Sequence, residues 1–284
     1  MKIHAYRIER QGPGQLHELL ATIGALALED RFFAGDGEAL RLEEFDLRGD
    51  FFVADFAGPR AGHGPGKLSR RAPMVDIDLG DDENFAEDTA IAVHIPSGYA
   101  AVQYNHNGPR VKAIEKYLGA ADDRNGQRTQ YQFATCLRPD AHDRLRRYGF
   151  IQEIDFTIAI PGIAPGAADQ GISVGNALNA PLPQGAQVIS MQVRANAGGP
   201  LGQRDSLELV DELLARGGDL LRAKIWGKEA EGRGRKRPIN LLNEHLSQDV
   251  DIRRARGNRF GRPERWTALG QTLERWLANG QLQQ

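Results

Sequence analysis

The chain has 284 residues, of which 40% are hydrophobic and 26% are charged, a balance typical of folded globular proteins and unlike that of disordered chains. It contains no run of about 18 apolar residues, and its first residues lack the apolar stretch of a signal peptide, so we expect a cytoplasmic protein without a membrane span. The single cysteine, Cys136, excludes an internal disulfide, and its apolar neighbours predict that it is packed rather than reactive.

The net charge of −2 conceals an uneven distribution along the chain. Between Arg222 and Arg265, 13 Lys and Arg residues stand against 6 Asp and Glu residues, which gives this stretch a charge of +7 and leaves −9 on the remainder. We call residues 222–265 the basic segment. Such asymmetry is typical of an acidic body that carries a polyanion-binding edge.

The first part of the chain predicts a sheet-rich α+β lobe over residues 1–121. Apolar and polar residues alternate in strands, whereas apolar residues recur every three or four positions in helices. The predicted strands are 2–8, 40–47, 51–56, 74–79, 89–95 and 99–104, and the predicted helices are 16–26 and one with Pro109 near its first position. Gly-containing turns at residues 48–50 and 96–98 join two of the strand pairs into hairpins.

A polar linker at residues 122–128 leads to a second α/β lobe over residues 129–227, and residues 228–284 form a basic C-terminal extension with a helix. The predicted strands of this part are 131–137, 151–160, 188–194 and 220–226, and the predicted helices are 140–148, 207–215, 239–246 and a last amphipathic helix. Asp205 and Glu208 predict a capping box for the second of these helices. The whole pattern predicts a mixed α/β chain of the α+β class.

One motif matches the G-x-S-x-G signature of hydrolases, in which a strand precedes the serine and an unbroken helix follows it. Ser173 occupies the serine position in the stretch 171–175, but a Gly/Pro/Ala loop precedes it and Pro181 and Pro183 follow. His245 is the only histidine that follows Ser173 in the sequence, so it is the only candidate for the base. We therefore interpret this stretch as a loop.

A second motif, Gly-His-Gly-Pro-Gly-Lys at residues 62–67, resembles a loop that holds phosphates with backbone N–H groups and a lysine. A Walker motif requires Gly where Ala61 stands and Ser or Thr where Leu68 stands. An ATP site is therefore disfavoured. We interpret the stretch as a surface loop, with contact to a nucleic-acid backbone as the alternative.

Two further polar clusters invite a catalytic interpretation. An acidic run provides carboxylates of the kind that hold Mg²⁺ in nucleases: Asp76, Asp78, Asp81, Asp82, Glu83, Glu87 and Asp88. We favour the interpretation of this run as a solvated loop. Another possible role is that its carboxylates compete with DNA for the basic segment. The polar stretch Tyr104 to Gly108 contains His106, which we interpret as a hydrogen-bonded turn residue. The histidines show no spacing typical of a metal site.

The basic segment makes the strongest functional case. Its Arg residues outnumber its Lys residues, and the planar guanidinium suits contact with phosphate. Glycines between the cations let a loop follow a backbone. No helix-turn-helix or zinc-finger pattern is present, so we expect contact without base reading. The predicted nucleic-acid-binding residues are Lys224, Lys228, Arg233, Arg235, Lys236, Arg237, Arg253, Arg254, Arg256, Arg259, Arg262 and Arg265.

The order of the elements resembles that of the phage-exclusion family of the phage-lambda protein RexA and, more distantly, that of the KwaB proteins of the Kiwa anti-phage system. The shared course is an N-terminal strand and helix, a meander through Phe51-Phe-Val-Ala-Asp-Phe56 and residues 99–104, a helix, and then Ile154-Asp-Phe-Thr-Ile-Ala-Ile160 at the start of a second lobe. It covers most of the chain but neither the basic segment nor the last helix. The resemblance implies dimeric, largely sequence-independent binding of double-stranded DNA in phage exclusion or defence, without catalysis.

These observations predict a non-catalytic DNA-binding sensor or adaptor of a phage-defence or prophage-exclusion system. Its expected partners are double-stranded DNA, a second copy of the chain, and a membrane protein or effector from the same locus; no cofactor is expected. Two alternatives stay open. One is a metal-dependent nuclease that uses the acidic run at 76–88, and the other is a module in which the basic segment binds an acidic protein.

Overall fold

The computed structural model describes residues 1–33, 39–60, 73–80, 83–148, 150–159, 188–196, 199–216, 220–228, 236–253 and 259–282. It shows an α+β protein in which helices accompany sheets of antiparallel strands, as the sequence predicts. The chain forms two compact units. Unit 1 comprises Met1–Ile3, Arg10–Tyr131 and Asp249–Leu273, and unit 2 comprises His4–Glu9, Gln132–Gln248 and Glu274–Gln284.

The described part of the chain contains twelve strands and five α-helices. In order they are β1 (Lys2–Gln11), α1 (Leu16–Gly24), β2 (Phe32–Phe33), β3 (Leu40–Arg48), β4 (Phe51–Pro59), β5 (Ala86–His94), β6 (Tyr99–Tyr104), α2 (Val111–Arg124), β7 (Gln130–Thr135), α3 (Pro139–Arg147), β8 (Phe150–Ala159), β9 (Val188–Arg194), α4 (Gln203–Ala215), β10 (Leu220–Lys228), β11 (Arg237–Asn240), β12 (Ser247–Asp249) and α5 (Arg262–Ala278). Short 3-10 helices occupy Leu28–Arg31 and Leu241–Glu244.

Unit 1 contains an antiparallel meander in which β2, β3, β4, β5 and β6 lie side by side in that order. Strand β4 is buried along most of its length, because five consecutive residues from Phe52 to Phe56 are inaccessible to solvent. Such a strand has protein on both of its faces. One of the five is charged, Asp55, and its partners are described below.

Unit 2 contains a four-stranded antiparallel sheet with the strand order β11-β10-β8-β9. Side chains alternate between its two faces. Phe156, Ala223 and Ile225 point into the core and contact a hydrophobic cluster that includes Val210 and Leu213 of α4. The residues that alternate with these core residues along each strand form the opposite face of the sheet. The sequence predicted β8, β9 and β10 closely, because apolar residues alternate along each of them, but it did not predict the four-residue strand β11.

The predicted strand at 74–79 is wrong, because residues 73–80 form no strand in the structure. The alternation of Val75, Ile77 and Leu79 with aspartates is strand-like, but Val75 alone makes a bridge and all three side chains are exposed. Alternation produces a strand only where a neighbouring strand accepts the backbone hydrogen bonds. In the described residues this stretch has no such neighbour beyond the single bridge.

Several predicted helix boundaries are also wrong. Helix α2 begins at Val111 with Arg110 as its N-cap, so Pro109 precedes the helix, and its last turn extends to Arg124 within the predicted linker. Helix α4 has Gly202 as its N-cap, so Asp205 lies in the first turn and forms no capping box. The predicted helix 239–246 is instead the end of β11 followed by the 3-10 helix Leu241–Glu244.

Cys136 lies in unit 2 and is 3% exposed, which confirms the prediction that it is packed. Its backbone N–H donates to the carbonyl of Ala5 at 3.2 Å, and its carbonyl accepts from the N–H of Leu246 at 2.8 Å. No helix in the described part of the chain is both long and apolar enough to span a membrane.

Candidate functional site

The predicted nucleic-acid-binding residues are divided between the two units. Lys224, Lys228, Lys236 and Arg237 belong to unit 2, and Arg253, Arg259, Arg262 and Arg265 belong to unit 1. Arg233, Arg235, Arg254 and Arg256 lie outside the described residues. The described cations also differ in their surroundings, since Arg237 and Arg253 are exposed whereas Arg265 is buried.

In unit 2, the side of the four-stranded sheet that faces away from its core is polar. The strand register pairs Lys224 with Asp155 and Trp226 with Glu153, so these side chains emerge on the same side. We call this side the outer face. Its residues are Glu153, Asp155 and Thr157 of β8, Ser190, Gln192 and Arg194 of β9, Arg222, Lys224, Trp226 and Lys228 of β10, and Asn240 of β11, with Lys236 beside them.

Positive charge exceeds negative charge on the outer face, where Arg194, Arg222, Lys224, Lys228 and Lys236 accompany two carboxylates. Arg222 donates to Asp155 at 2.6 Å. Arg194 lies 3.3 Å from Oε1 of Glu153, and Oε2 of the same carboxylate accepts a hydrogen bond from Lys236. Among the residues that the structure describes, Lys224 and Lys228 form no ion pair. Within the described residues, positive charge on the outer face therefore exceeds negative charge.

Glu153 organises three polar side chains on this face. The Lys236 ammonium lowers the pKa of the Glu153 carboxyl, partial burial opposes that change, and Arg194 adds to it. Gln192 donates to the same carboxylate at 2.7 Å. The ammonium of Lys236 also lies 5.6 Å from the centroid of the Trp226 ring, within the range of a cation–π interaction. Glu153 and Trp226 together hold Lys236 in place.

The site residues predicted from sequence did not include two cations of this face, Arg194 and Arg222, or its tryptophan, Trp226. The signal was present in the alternation of β9 and β10, where the polar residues alternate with Ile189 and Met191 and with Ala223 and Ile225. A count of charges along the chain does not identify Arg194, because Arg194 is far from the basic segment in sequence. It lies on the outer face because β9 pairs with β8 and places Arg194 opposite Glu153.

In unit 1, two of the predicted phosphate-binding arginines are used inside the protein. Asp55 accepts hydrogen bonds from Nε of Arg262 at 2.7 Å, from Nη2 of Arg265 at 2.9 Å and from Nε1 of Trp266 at 3.0 Å. Burial raises the pKa of the Asp55 carboxyl, and these donors oppose that rise. The cluster attaches the first turn of α5 to strand β4, so Arg265 is not part of an exposed surface.

Beside this cluster, unit 1 contains a polar cavity of about 540 Å³. Its walls come from β5 and β6, from the residue after β4, from residues next to β5 and β6, and from residues before and within α5. The lining residues are Arg60, Phe85, Ala86, Glu87, Asp88, Gln103, Tyr104, Asn105, His106, Arg259, Phe260 and Arg265. The polar stretch from Tyr104 to His106 therefore forms part of a cavity wall, and the cavity contains both guanidinium and carboxylate groups.

The acidic run is distributed over separate interactions. Glu83 accepts a hydrogen bond from the backbone N–H of Gly80 at 2.9 Å, whereas Glu87 and Asp88 lie in the cavity wall. The described residues contain no group of three or more His, Cys, Asp or Glu side chains placed to hold a metal. Asp81 and Asp82, the G-x-S-x-G motif at 171–175 and the glycine loop at 62–67 lie outside the described residues.

His245 has a structural environment in unit 2. Its Nε2 lies 2.7 Å from the carbonyl oxygen of Ala5, and its ring packs edge-on against Tyr6 at a centroid distance of 4.9 Å. It also contacts the ring of His4 at 4.5 Å. These contacts fix the imidazole beside strand β1.

In comparisons with known proteins, no family model matches the chain, and no curated protein matches it significantly.

Proposed function

We propose that this protein binds double-stranded DNA without sequence specificity, through contacts between backbone phosphates and the outer face of unit 2. The observation that carries the proposal is the charge of that face, where five cations accompany two carboxylates and Lys224 and Lys228 have no ion pair among the described residues. Neutralisation of phosphates by Lys and Arg supplies the sequence-independent part of DNA affinity.

The spacing of the two lysines supports contact with a duplex. Lys224 and Lys228 lie four residues apart on strand β10, which corresponds to about 13 Å along an extended strand. The major groove of B-DNA is about 12 Å wide. Two lysines at this spacing can contact phosphates on both sides of the groove at once.

The surroundings of Trp226 favour phosphate contact over base stacking. Its ring is partly buried, and the ammonium of Lys236 already lies 5.6 Å from the ring centroid. An unpaired base that stacked on this ring would compete with that ammonium. We therefore assign Trp226 the role of orienting Lys236, and we propose the duplex rather than a single strand as the ligand.

The biological setting that we propose is a cytoplasmic, non-catalytic sensor or adaptor of a phage-defence or prophage-exclusion system, acting as a homodimer. Its support is the resemblance in element order to the RexA and KwaB proteins. A plaque assay tests this setting. Expression of the intact locus reduces plaque formation, and the double variant Lys224→Gln, Lys228→Gln in the same locus loses that protection.

Binding is tested by fluorescence anisotropy with a labelled random-sequence duplex over a series of salt concentrations. The wild-type protein binds at low salt and loses affinity steeply as salt rises, because binding releases counterions. In the variant Lys224→Gln, Lys228→Gln, the slope of log affinity against log salt falls in magnitude by about 2, or about 1 for each lost phosphate contact.

The matched control is Arg204→Gln, which removes one charge from unit 2 at a side chain that is 89% exposed on α4 and pairs with Glu208. It leaves the slope unchanged, since α4 lies on the core side of the sheet. Absence of duplex binding at low salt would refute the proposal. Equal binding by wild type and double variant would place the interaction outside the outer face.

A further inference from the structure

Strand β9 forms one edge of the four-stranded sheet of unit 2. Among the described residues it pairs with β8 on one side and with no strand on the other. The N–H of Ala195 donates to the carbonyl of Gln152 at 3.0 Å, which fixes the backbone groups that bond to β8. Because hydrogen-bonded pairs alternate in an antiparallel ladder, the N–H and C=O groups of the even-numbered residues of β9 point away from β8. They form a template for a further strand.

This edge lacks the features by which proteins usually prevent further pairing. Natural edge strands are blocked by proline, by an inward-pointing charge or by a bulge. The residues of β9 on the core side are Ile189, Met191 and Val193, which are apolar and only partly buried, and the register with β8 has no shift. An added strand with apolar residues on the same side would cover this apolar surface.

In unit 1, residues 74–79 have the pattern of such a strand but form none. Val75, Ile77 and Leu79 alternate with Asp76 and Asp78. All three apolar side chains are exposed, and within this stretch Val75 alone makes a bridge. A group of exposed apolar side chains flanked by polar residues is typical of an interaction site. We call this stretch the 74–79 segment.

An antiparallel alignment of the 74–79 segment with β9 matches their apolar residues. On the core side, every apolar residue that alternates with the aspartates meets an apolar residue of β9, and such cross-strand pairs stabilise a sheet. These pairs are Val75 with Val193, Ile77 with Met191, and Leu79 with Ile189. Together they cover the exposed apolar side chains of the segment and the partly buried ones of the edge.

On the outer side, the same register brings carboxylates beside donors. Asp76 lies opposite Gln192 and diagonal to Arg194, within reach of that long side chain. Arg194 uses one terminal nitrogen within the sheet and its side chain is 63% exposed, so further donors are accessible. Asp78 lies opposite Ser190, whose hydroxyl can donate to a carboxylate. The 74–79 segment therefore complements β9 in charge as well as in apolar pattern.

We propose that the 74–79 segment of one copy of this chain pairs as an antiparallel strand with β9 of a second copy. When a strand is added to a sheet edge, backbone hydrogen bonds supply affinity and alternate side chains supply specificity. Reciprocal exchange of the segment forms two such contacts and closes a dimer. The contact gives the proposed homodimer an interface, and it does not depend on DNA binding because Lys224 and Lys228 take no part in it.

Sedimentation velocity of the full chain over a range of concentrations tests the proposal. The wild-type chain self-associates with a Kd of about 100 μM or tighter. Ile77→Asp places a charge against Met191 and weakens self-association by about tenfold or more. The matched control is Leu47→Asp, which introduces the same charge in unit 1 at a side chain that is 52% exposed, compared with 43% for Ile77. It leaves self-association unchanged.

Variants of the edge test the other side of the contact. Gln192→Pro removes an N–H that points away from β8, so the ladder with β8 is kept, but the added strand loses a hydrogen bond and meets the proline ring. Circular dichroism checks that this variant folds. Arg194→Glu is a second edge variant that keeps every backbone group and reverses the charge diagonal to Asp76. Both weaken self-association.

A mixing experiment identifies the two partners. Ile77→Asp retains an intact β9, and Gln192→Pro retains an intact 74–79 segment. An equal mixture of the two therefore associates more strongly than either variant alone. With Arg194→Glu in place of Gln192→Pro, the mixture gives the same result.

Four outcomes overturn the proposal. They are a wild-type chain that stays monomeric, self-association that Ile77→Asp does not weaken, folded edge variants that associate like the wild type, and a mixture that associates no more strongly than its components. Lys224→Gln, Lys228→Gln leaves self-association unchanged, so a failure of this contact and a failure of DNA binding are observed separately.

Discussion

Arg265 of helix α5 donates a hydrogen bond from Nη2 to the carboxylate of Asp55 in strand β4 at 2.9 Å, and the two side chains are only 3% and 0% exposed. They are 210 residues apart in the chain. A buried charge without its partner is strongly destabilising, whereas an exposed pair contributes little. This pair is therefore a structural attachment of α5 to the meander of unit 1.

The variant Asp55→Asn tests this attachment. It replaces the carboxylate by a neutral amide and leaves Asp88, 2.9 Å away, as the carboxylate partner of Arg265, so the free energy of unfolding falls by about 1 to 3 kcal/mol. Urea unfolding followed by tryptophan fluorescence measures the change, since Trp266 donates to the same carboxylate.

Asp46→Asn is the matched control for that experiment. Asp46 pairs with Arg48 at 2.7 Å, but both side chains are about half exposed. Its loss lowers the free energy of unfolding by about 1 kcal/mol or less. Equal effects of the two substitutions would show that the Asp55 cluster does not stabilise unit 1.

A second prediction concerns the titration of Glu153. Its pKa is lowered in the folded protein, chiefly by the Lys236 ammonium, so the deprotonated form stabilises the fold. That contribution is complete at pH values above the ordinary pKa of a glutamate and is lost as pH falls through the lowered folded-state pKa. In the variant Lys236→Met, carboxyl NMR shifts report a pKa for Glu153 that moves up towards the ordinary value.

Lys228→Met is the control for this titration, because Lys228 lies on the same strand face and forms no ion pair with a described carboxylate. It leaves the pKa of Glu153 almost unchanged. If both substitutions moved that pKa equally, the overall charge of the outer face, rather than the contact with Lys236, would set it.

A third prediction concerns Gly227, which lies where β10 passes the ring of Tyr148. A Cβ atom at this position would lie 2.5 Å from Cδ2 of Tyr148 and 3.0 Å from the carbonyl oxygen of Phe150. Gly227→Ala therefore displaces the ring or the strand and lowers the free energy of unfolding by about 1 to 3 kcal/mol. Thermal or urea unfolding measures this change in the free energy of unfolding.

Gly119→Ala is the same chemical change at an open position. Gly119 lies inside helix α2, and a Cβ there would meet nothing within 4 Å. Alanine is a better helix former than glycine, so the free energy of unfolding of this variant rises by about 0.5 to 1 kcal/mol. Opposite signs for the two substitutions are the expected result, and a neutral Gly227→Ala would contradict the close approach of Tyr148.

A fourth prediction concerns the single thiol. Burial raises the pKa of Cys136 to about 12, so almost no thiolate exists at neutral pH and the sulfur is inaccessible. The native protein therefore reacts with an aromatic disulfide reagent only as fast as unit 2 opens, and stoichiometric reaction appears at once in denaturant. Rapid reaction of the native chain would contradict this burial.

The sequence by itself determined the α+β class and most of the strands, because alternation over five or more residues is decided locally by the need to cover one face of a sheet. It also determined where positive charge is concentrated along the chain. It did not determine which of those charges stay exposed. Strand register brings Arg194 beside Glu153, and the packing of α5 on β4 buries Arg265 against Asp55; both depend on residues far apart in sequence. Only the tertiary structure decides such pairings, since charge along a chain carries no information about which carboxylate folds back to meet it.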